Sequence, residues 1–243
     1  MKTLILAPRF TEDSRALWRA ALRLGWGVER LGSWRLTDEL REIAEPVLYL
    51  EGLFAPSLAE FLGLRLLEPP LDWLPRLPEC YRKRKVSLGT MRQARALEGA
   101  AFVKPPNDKS FRATVYTNAS LPRDYDDAPV LIAEVVAWEK EFRSFVLDRE
   151  PLATSVYLRH NEPQSATGYA ANADELAEAE SFIRGVLADD RVEFPRAGVL
   201  DVGVIPRRGW AVVEPNMAWS SGIYGCDPGR VLEVVRHATV AAD

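Results

Sequence analysis

Residues 197–225 read AGVLDVGVIPRRGWAVVEPNMAWSSGIYG, and the first part of this stretch has the pattern of a β-hairpin. Apolar and β-branched residues fill 199–205 and 210–213, and the Pro-Arg-Arg-Gly segment between them is typical of a turn. A loop of two or four residues would pair Ile205 with Trp210 and place Asp201 opposite Glu214. Asn216 would then share a face with Glu214, because strand side chains alternate.

Two carboxylates that face each other in a β-ladder repel and weaken the sheet, and a bound cation would relieve that repulsion. Carboxylate and amide oxygens are hard ligands, which suit Mg²⁺ or Mn²⁺ held together with phosphate. The alternative is a half-exposed hairpin whose acidic side chains face water. A loop of odd length would put Asp201 and Glu214 on opposite faces and remove the argument for a metal.

The composition bounds the class of protein. The chain has 243 residues, of which 47% are hydrophobic and 27% are charged, as is ordinary for a globular protein. The net charge of -4 gives no general basic field for nucleic acid, so no nucleic-acid partner is expected. Apolar runs are too short for a membrane span, and two cysteines make no disulfide framework. We therefore expect a reduced, cytoplasmic protein without a membrane partner.

Lysine is rare in a chain that otherwise uses arginine, and five of its six lysines fall between residues 83 and 140: Lys83, Lys85, Lys104, Lys109 and Lys140. Lysine is a compact, mobile charge that suits phosphate. Chance and a bias towards arginine are the competing explanation.

The N-terminal part predicts a small parallel α/β layer. The order is strand 3–7, helix 15–24 and strand 27–31, followed by strand 46–50, helix 58–62 and strand 64–67. A dinucleotide fingerprint GxGxxG is absent after the first strand. The basic stretch 79–97 has apolar residues at about helical spacing and is predicted as a helix, although Gly89 interrupts it.

The middle of the chain predicts paired strands. Residues 100–104 form a strand that ends in Lys104, and 111–116 form its partner. A buried strand at 130–136 leads into 141–146, where alternation places Glu141 and Arg143 on one face. That pair could point into a cleft or lie on the outer face of an antiparallel hairpin. The next segment is a surface loop at 160–172, of a composition that suits a flap. A helix is predicted at 175–187.

In this order, three motifs resemble those of the ATP-grasp superfamily: FVKPP around Lys104, AEVVAWEKEFRSFV at 133–146, and VLDVGV joined to WAVVEPN. The closing AWSSGIYG resembles a short bacterial branch of that superfamily. The resemblance implies an α/β and α+β protein in which two α+β subdomains clasp ATP behind a small Rossmann-like domain. The implied divisions are 1–75, 76–136 and 137–243.

The resemblance also implies roles for single residues. Lys104 would meet the α- and β-phosphates, with Lys85 or Arg84 as a second cation. The backbone of Glu134, Val135 and Val136 would bind adenine, and Glu141 the ribose. Arg143 would face the γ-phosphate or an acylphosphate, and one or two Mg²⁺ ions would be held by Asp201, Glu214 and Asn216.

Two features depart from the pattern of that superfamily. The loop PPNDKSF is not rich in glycine, so Lys109 would replace some backbone contacts to phosphate. The N-terminal unit is short, so the substrate site would be built differently or completed by a partner.

The function implied by the resemblance is an ATP- and Mg²⁺-dependent ligase. It would activate a carboxylate, on a small molecule or a peptide, as an acylphosphate for attack by an amine or thiol. The alternatives are a kinase that stops at phosphoryl transfer and a nucleotide-binding module without catalysis. Oligomers are possible, and the sequence names neither the acid nor the acceptor.

Overall fold

The computed structural model describes residues 1–124 and 126–242, except the side chain of Ala119. The chain begins with a small parallel sheet. Strand β1 (Lys2–Leu6) lies between β2 (Gly27–Arg30) and β3 (Glu45–Tyr49), and both neighbours are parallel to it. Helix α1 (Glu12–Arg23) connects β1 to β2. It begins at a capping box in which Thr11 and Ser14 satisfy each other's backbone N–H groups.

The predicted fourth strand of this layer is placed differently. Helix α2 (Ala55–Phe61) is followed by β4 (Leu64–Leu66), which pairs antiparallel with the last strand of the chain, β14 (Thr239–Ala241), and lies outside the parallel sheet. The sequence pattern could not specify this partner, because it lies at the opposite end of the chain. The pairing of β4 with β14 therefore joins the last strand to the N-terminal part of the chain.

The single helix predicted for 79–97 is wrong. Helices α3 (Trp73–Arg76) and α4 (Glu79–Arg82) precede strand β5 (Val86–Thr90), and helix α5 (Met91–Arg95) follows it. Lys83 ends α4 in the left-handed region at φ 45°. Strand β5 forms backbone hydrogen bonds with a neighbouring strand. This pairing outweighs the preference for a helix that the spacing of the apolar residues indicates.

That neighbour belongs to a four-stranded antiparallel sheet in the order β5-β8-β6-β7. Strand β6 (Ala101–Lys104) and its partner β7 (Thr114–Tyr116) confirm the predicted strand pair around Lys104. Strand β8 (Pro129–Ala133) pairs with both β5 and β6. It ends three residues earlier than predicted, so that 134–139 form an irregular link to the next sheet.

The second large sheet has five strands in the order β11-β10-β9-β12-β13, with antiparallel neighbours throughout. Its strands are β9 (Lys140–Leu147), β10 (Glu150–Arg159), β11 (Glu162–Pro163), β12 (Ala197–Ile205) and β13 (Gly209–Asn216). Helices α6 (Ala173–Ala188) and α7 (Pro228–Val235) complete this part, and short 3-10 turns lie at Asp38–Glu42, Asn118–Ser120 and Gln164–Thr167.

Side chains on the two faces of β9 lie in different hydrophobic cores, as the alternation of side chains along a strand predicts. Phe142 and Val146 pack with α6 residues such as Ile183, whereas Phe145 joins a core that also contains Leu4 of β1 and Val231 of α7. The N-terminal layer and the five-stranded sheet therefore share one continuous core. The divisions expected after residues 75 and 136 stay predictions.

Candidate functional site

The turn of the β12–β13 hairpin holds three residues, which corrects the pairing expected from the sequence. Ile205 pairs with Gly209, so the loop is Pro206–Arg208 and every pair near the turn is displaced by one position. Arg207 and Gly209 adopt φ values of 66° and 77°. Three-residue hairpin loops commonly use residues in the left-handed region, and glycine adopts that region without strain. With regular pairing throughout the hairpin, this loop of odd length would have placed Asp201 and Glu214 on opposite faces.

A β-bulge restores the pairing. Val202 pairs with Val212, but the next pair is Asp201 with Glu214, so Val213 is the extra residue on β13. A bulge shifts every following side chain by one position. Two departures from regular geometry, the odd loop and the bulge, thus compensate each other, and Asp201 lies opposite Glu214 as predicted.

Asn216 completes a polar cluster with these two acids. Its side-chain Nδ2 donates to Asp201 Oδ2 and to Glu214 Oε1, at 3.1 Å in each case. Asp201 is fully buried. The amide group bridges two carboxylates where a cation would relieve their repulsion, and a flip of the amide presents its oxygen to the same place. The donor set of two carboxylates and one amide therefore fits Mg²⁺ or Mn²⁺.

Arg143 lies directly across from Asp201 in the register of β9 with β12. Its Nε and Nη2 donate to the two carboxylate oxygens at 2.9 and 2.6 Å, and its Nη1 donates to the Gly222 carbonyl at 3.1 Å. Burial lowers the pKa of the guanidinium, but the Asp201 carboxylate raises that pKa to well above its ordinary value. Arg143 is therefore a fixed, permanently charged group.

Lys104 provides the second cation of the cluster. It projects from the end of β6, in the four-stranded sheet, and forms an ion pair with Glu214 of the five-stranded sheet. Burial tends to raise the pKa of Glu214, but the charge and hydrogen bond of Lys104, together with Asn216, lower it to about 2. Burial raises the pKa of Asp201, against the lowering effect of Arg143. The cluster therefore bridges the two sheets and contains two acids and two cations.

Glu141 lies on the same face of β9 as Arg143 and is 5% exposed. It accepts a hydrogen bond of 2.8 Å from the Tyr157 hydroxyl. Burial raises the pKa of Glu141 to about 7, against the lowering effect of Tyr157. The face of β9 that carries Glu141 and Arg143 is thus buried in the interior of the protein.

The link expected to bind adenine lies between the sheets. Glu134 donates its backbone N–H to the Lys85 carbonyl at 2.9 Å, and its side chain accepts from the Lys85 N–H and from Arg208. Val135 is 45% exposed and Val136 is half-buried. This segment therefore lies between the two sheets and is partly exposed at Val135, while the backbone N–H of Glu134 is bonded to Lys85.

The other predicted cations lie apart from the acid cluster. Lys85 is exposed at the start of β5, and Lys109 is exposed in the loop after β6. Arg84 is 7% exposed, and its guanidinium donates to the carbonyls of Val212 and Val213 at 2.6 and 2.7 Å. The phosphate role that the resemblance implies for Arg84 is at odds with this placement, because its donors are directed at the β13 backbone.

Two tyrosines beside Arg143 were missed by the sequence reasoning. The ring centres of Tyr157 and Tyr224 stack 5.3 Å apart, and the Arg143 guanidinium carbon lies 5.5 and 4.8 Å from them. Such contacts favour a guanidinium over the ring face. Alternation along β10 could have placed Tyr157 near the site, whereas Tyr224 lies in a loop without a periodic signal.

The N-terminal layer also reaches the site, which the sequence did not reveal. Asp13, in the first turn of α1, accepts a hydrogen bond of 3.0 Å from the Ile223 N–H. The Tyr49 hydroxyl, at the end of β3, donates to the Ser221 carbonyl at 2.9 Å. The loop that holds Gly222 against Arg143 is therefore anchored by the N-terminal layer.

Within residues 1–124 and 126–242, no cluster of three or more His, Cys, Asp and Glu side chains suits a metal. The candidate set differs from such clusters because its third member is an amide. In the same residues, no helix is both long and apolar enough to cross a bilayer.

Comparison with known proteins places the chain in a family. Residues 81–234, more than half of the chain, match the model of "ATP-grasp domain, R2K clade family 2". A search of curated proteins found no match.

Solved structures share the fold at low sequence identity. A RimK domain ATP-grasp protein from Sphaerobacter thermophilus aligns over 97% of this chain and 99% of its own, with 15% identity and a TM-score of 0.56. D-alanine–D-alanine ligase from Bacillus anthracis aligns over 98% and 97%, with 12% identity and a TM-score of 0.56. The ATP-grasp ligase PsnB, in complex with minimal precursor, Mg and ADP, aligns over 96% of both chains, with 14% identity and a TM-score of 0.54.

The match to the family model over most of the two large sheets, together with this shared fold, shows that the chain belongs to the ATP-grasp family of the R2K clade, family 2.

Proposed function

We propose that this protein is an ATP- and Mg²⁺-dependent ligase that converts a carboxylate to an acylphosphate, which an amine or thiol then attacks. The observation that carries the proposal is one hydrogen-bonded network that joins Lys104, Arg143, Asp201, Glu214 and Asn216 across two sheets. The family resemblance implies a nucleotide held between two α+β subdomains, and the position of this network between the two sheets supports that role for it.

The ion pairs within the network suit exchange with a charged ligand. Each acid is paired with one cation, Asp201 with Arg143 and Glu214 with Lys104. Lys104 is partly exposed and carries its amine on a flexible stem, so the amine can turn from Glu214 to a phosphate oxygen. Arg143 is held by Asp201 and the Gly222 carbonyl, so it keeps its direction. A fixed arginine needs no reorganisation when charge develops next to it.

The proposed reaction has two steps. A carboxylate oxygen of the substrate attacks the γ-phosphorus of ATP, and ADP leaves. An amine or thiol then attacks the acyl carbon, and phosphate leaves. Mg²⁺, held by Asp201, Glu214 and Asn216, would neutralise charge on the phosphate oxygens. Lys104 would hold the transferring group in line, and the fixed charge of Arg143 would stabilise the negative charge that develops on that group. An arginine in this role contributes roughly 4–7 kcal/mol.

The nucleotide would extend from this cluster towards the link between the sheets. Glu141, in the interior beside Tyr157, would accept hydrogen bonds from the ribose hydroxyls. The backbone of 134–136 would bind adenine, and Lys85 and Lys109 would contact phosphate from the edges. The D-alanine–D-alanine ligase and the precursor-bound PsnB support a small-molecule or peptide carboxylate as the substrate.

The test is the release of ADP from ATP in the presence of a metabolite extract, followed by mass spectrometry of the conjugate. We expect steady ADP formation over many turnovers and a new product whose mass equals acid plus amine or thiol minus water. ADP formation with a stable acylphosphate and no conjugate, even with added amines, would show a kinase instead. No ADP formation with any extract, despite ATP binding, would show a nucleotide-binding module.

A further inference from the structure

The bulge at Val213 is the local feature that brings Glu214 opposite Asp201. From the three-residue turn, regular pairing would continue as Val202 with Val212, Asp201 with Val213, and Leu200 with Glu214. Leu200 packs in the core beneath α6. Without the bulge, Glu214 would therefore point into an apolar core, and Glu214 and Asn216 would both turn away from Asp201.

A bulge leaves the backbone groups of its strand partly without ladder partners, so it needs another source of hydrogen bonds. Arg84 provides them. Its Nη1 donates to the carbonyl of Val212, the last residue paired before the register shift, and its Nη2 donates to the carbonyl of Val213, the extra residue itself. One planar guanidinium thus binds both carbonyls in a fork, a geometry that lysine cannot reproduce.

The Arg84 side chain is itself held in place by the link between the sheets. Its guanidinium carbon lies 5.0 Å from the centre of the Trp138 ring. Trp138 in turn lies against Gly203 of β12, where an added Cβ would meet the Trp138 ring at 2.9 Å and the Lys140 carbonyl at 2.7 Å. Arg84 is therefore enclosed between the link and the bulge, and burial lowers its pKa to about 10.

We propose that Arg84 is a positioning residue for the metal site: it holds the β13 bulge and so keeps Glu214 and Asn216 beside Asp201. The proposal rests on the proposed function in one respect, the metal that these residues bind. It replaces the direct phosphate contact that the family resemblance implies for Arg84.

The test compares Arg84→Met with Arg149→Met. Arg149 also donates to several backbone carbonyls, those of Leu187, Asp189 and Val192, but at the end of α6 and away from the acid cluster. Both variants lose a guanidinium that binds carbonyls, so a general loss of stability affects both. Arg84→Lys provides a milder variant in case Arg84→Met does not fold.

The first readout is hydrogen exchange without ligand. We expect faster exchange of the backbone amides of Val212, Val213, Glu214 and Asn216 in Arg84→Met and Arg84→Lys, and wild-type exchange there in Arg149→Met. Unchanged exchange in both Arg84 variants would overturn the proposal, whether or not the protein is a ligase.

The second readout is the affinity for a non-hydrolysable ATP analogue with and without Mg²⁺. Arg84→Met is expected to lose the Mg²⁺-dependent gain in affinity, by about tenfold or more, and to keep its metal-free affinity. Loss of metal-free affinity as well would show a direct contact with the nucleotide and overturn the proposal. A wild-type protein without any Mg²⁺-dependent gain would refute the proposed function, and the exchange result would still decide the role of Arg84 in the bulge.

A rescue variant makes the assignment specific. Deletion of Val213 removes the extra residue, so that regular pairing from the turn places Glu214 opposite Asp201. In this background Arg84 has no bulge to hold. We expect Arg84→Met combined with the Val213 deletion to regain the Mg²⁺-dependent gain that Arg84→Met loses. If the double variant does not regain it while the deletion alone retains it, Arg84 acts in another way.

Discussion

Arg143 and Asp201 form a buried ion pair whose members depend on each other. The arginine is 7% exposed and the aspartate is fully buried, and two hydrogen bonds join them. Removing one member of such a pair leaves a buried charge without compensation, which costs about 3–5 kcal/mol. We expect Arg143→Met and Asp201→Asn each to lower the free energy of unfolding by about that much, and the double variant to lose much less than the sum.

A surface pair provides the control for this double-mutant cycle. Arg196 Nε lies 2.9 Å from Asp148 Oδ1, but both side chains are more than half exposed. Solvent screens such pairs, so the coupling between Arg196→Met and Asp148→Asn is expected to be below about 1 kcal/mol. Equal coupling in the two cycles, measured by denaturant unfolding, would contradict the account of Arg143 as a fixed charge.

Glu141 gives the chain a dependence of stability on pH. Its pKa in the folded protein is about 7, above the ordinary value of 4.5, because it is buried. The folded state therefore binds more protons than the unfolded state between these values, and the free energy of unfolding falls as pH rises through that window. Relative to Glu141→Gln, the wild type is expected to lose about 3 kcal/mol from pH 4.5 to pH 7. A difference between the two proteins that is constant with pH would contradict this.

At the scale of elements, β12 and the link between the sheets approach each other at Gly203. An added Cβ there would lie 2.7 Å from the Lys140 carbonyl oxygen, so Gly203→Ala must move β9 or the link. We expect a loss of about 1–3 kcal/mol in the free energy of unfolding, from overpacking. Weaker nucleotide binding is expected as well, because the link carries the proposed adenine contacts.

Gly185 is the matched control. It lies inside α6, and an added Cβ would meet nothing within 4 Å. Gly185→Ala is therefore expected to stabilise the protein by about 0.5–1 kcal/mol, because alanine favours the helix. Thermal unfolding of both variants tests the pair of predictions, and a Gly203→Ala protein as stable as Gly185→Ala would show that the close approach is not restrictive.

The hairpin shows how far the sequence could predict an element. Composition and alternation predicted both strands and the Asp201–Glu214 pair correctly. The loop length and the bulge could not be predicted, since each depends on local backbone choices that alternation does not encode. The two unpredicted shifts cancel, so the pairing was predicted correctly although the loop length was not. In our proposal Arg84 holds the bulge. The sequence pattern does not indicate this role, because Arg84 lies far from β13 along the chain.

Segment 79–97 shows the opposite outcome. The helical spacing of its apolar residues predicted one helix, yet β5 forms in its middle. The alternation signal of β5 is weak, because Val86 is buried whereas Ser87 and Leu88 are both exposed. Pairing with β8 decides its conformation, and such tertiary contacts override weak local preferences. Gly89, which interrupts the helical pattern, was the available signal.

At the scale of the whole molecule, the N-terminal layer and the five-stranded sheet are expected to unfold together. Leu4 of β1, Phe145 of β9 and Val231 of α7 belong to one core, and β14 returns to pair with β4. Neither part can expose this shared core at low cost. Leu4→Ala should therefore destabilise the entire chain by about 2–5 kcal/mol.

The measurement is denaturant unfolding followed by both tryptophan fluorescence and far-ultraviolet circular dichroism. We expect coincident transitions in wild type and an equal shift of both midpoints in Leu4→Ala. Two separate transitions, with only one of them shifted by Leu4→Ala, would show that the first domain folds alone. The sequence predicted the separate sheets but could not show this coupling, because contacts between distant segments leave no periodic pattern.

The proposed function depends on a divalent ion bound by Asp201, Glu214 and Asn216. The most direct test is calorimetric titration of a non-hydrolysable ATP analogue into wild type and Glu214→Gln, with and without Mg²⁺, with exposed Glu162→Gln as the control. The account predicts that Mg²⁺ raises the affinity of wild type and Glu162→Gln by about tenfold or more. In Glu214→Gln this gain should vanish, while metal-free affinity is unchanged or higher because Lys104 is released to bind phosphate. A full Mg²⁺-dependent gain in Glu214→Gln would contradict the account.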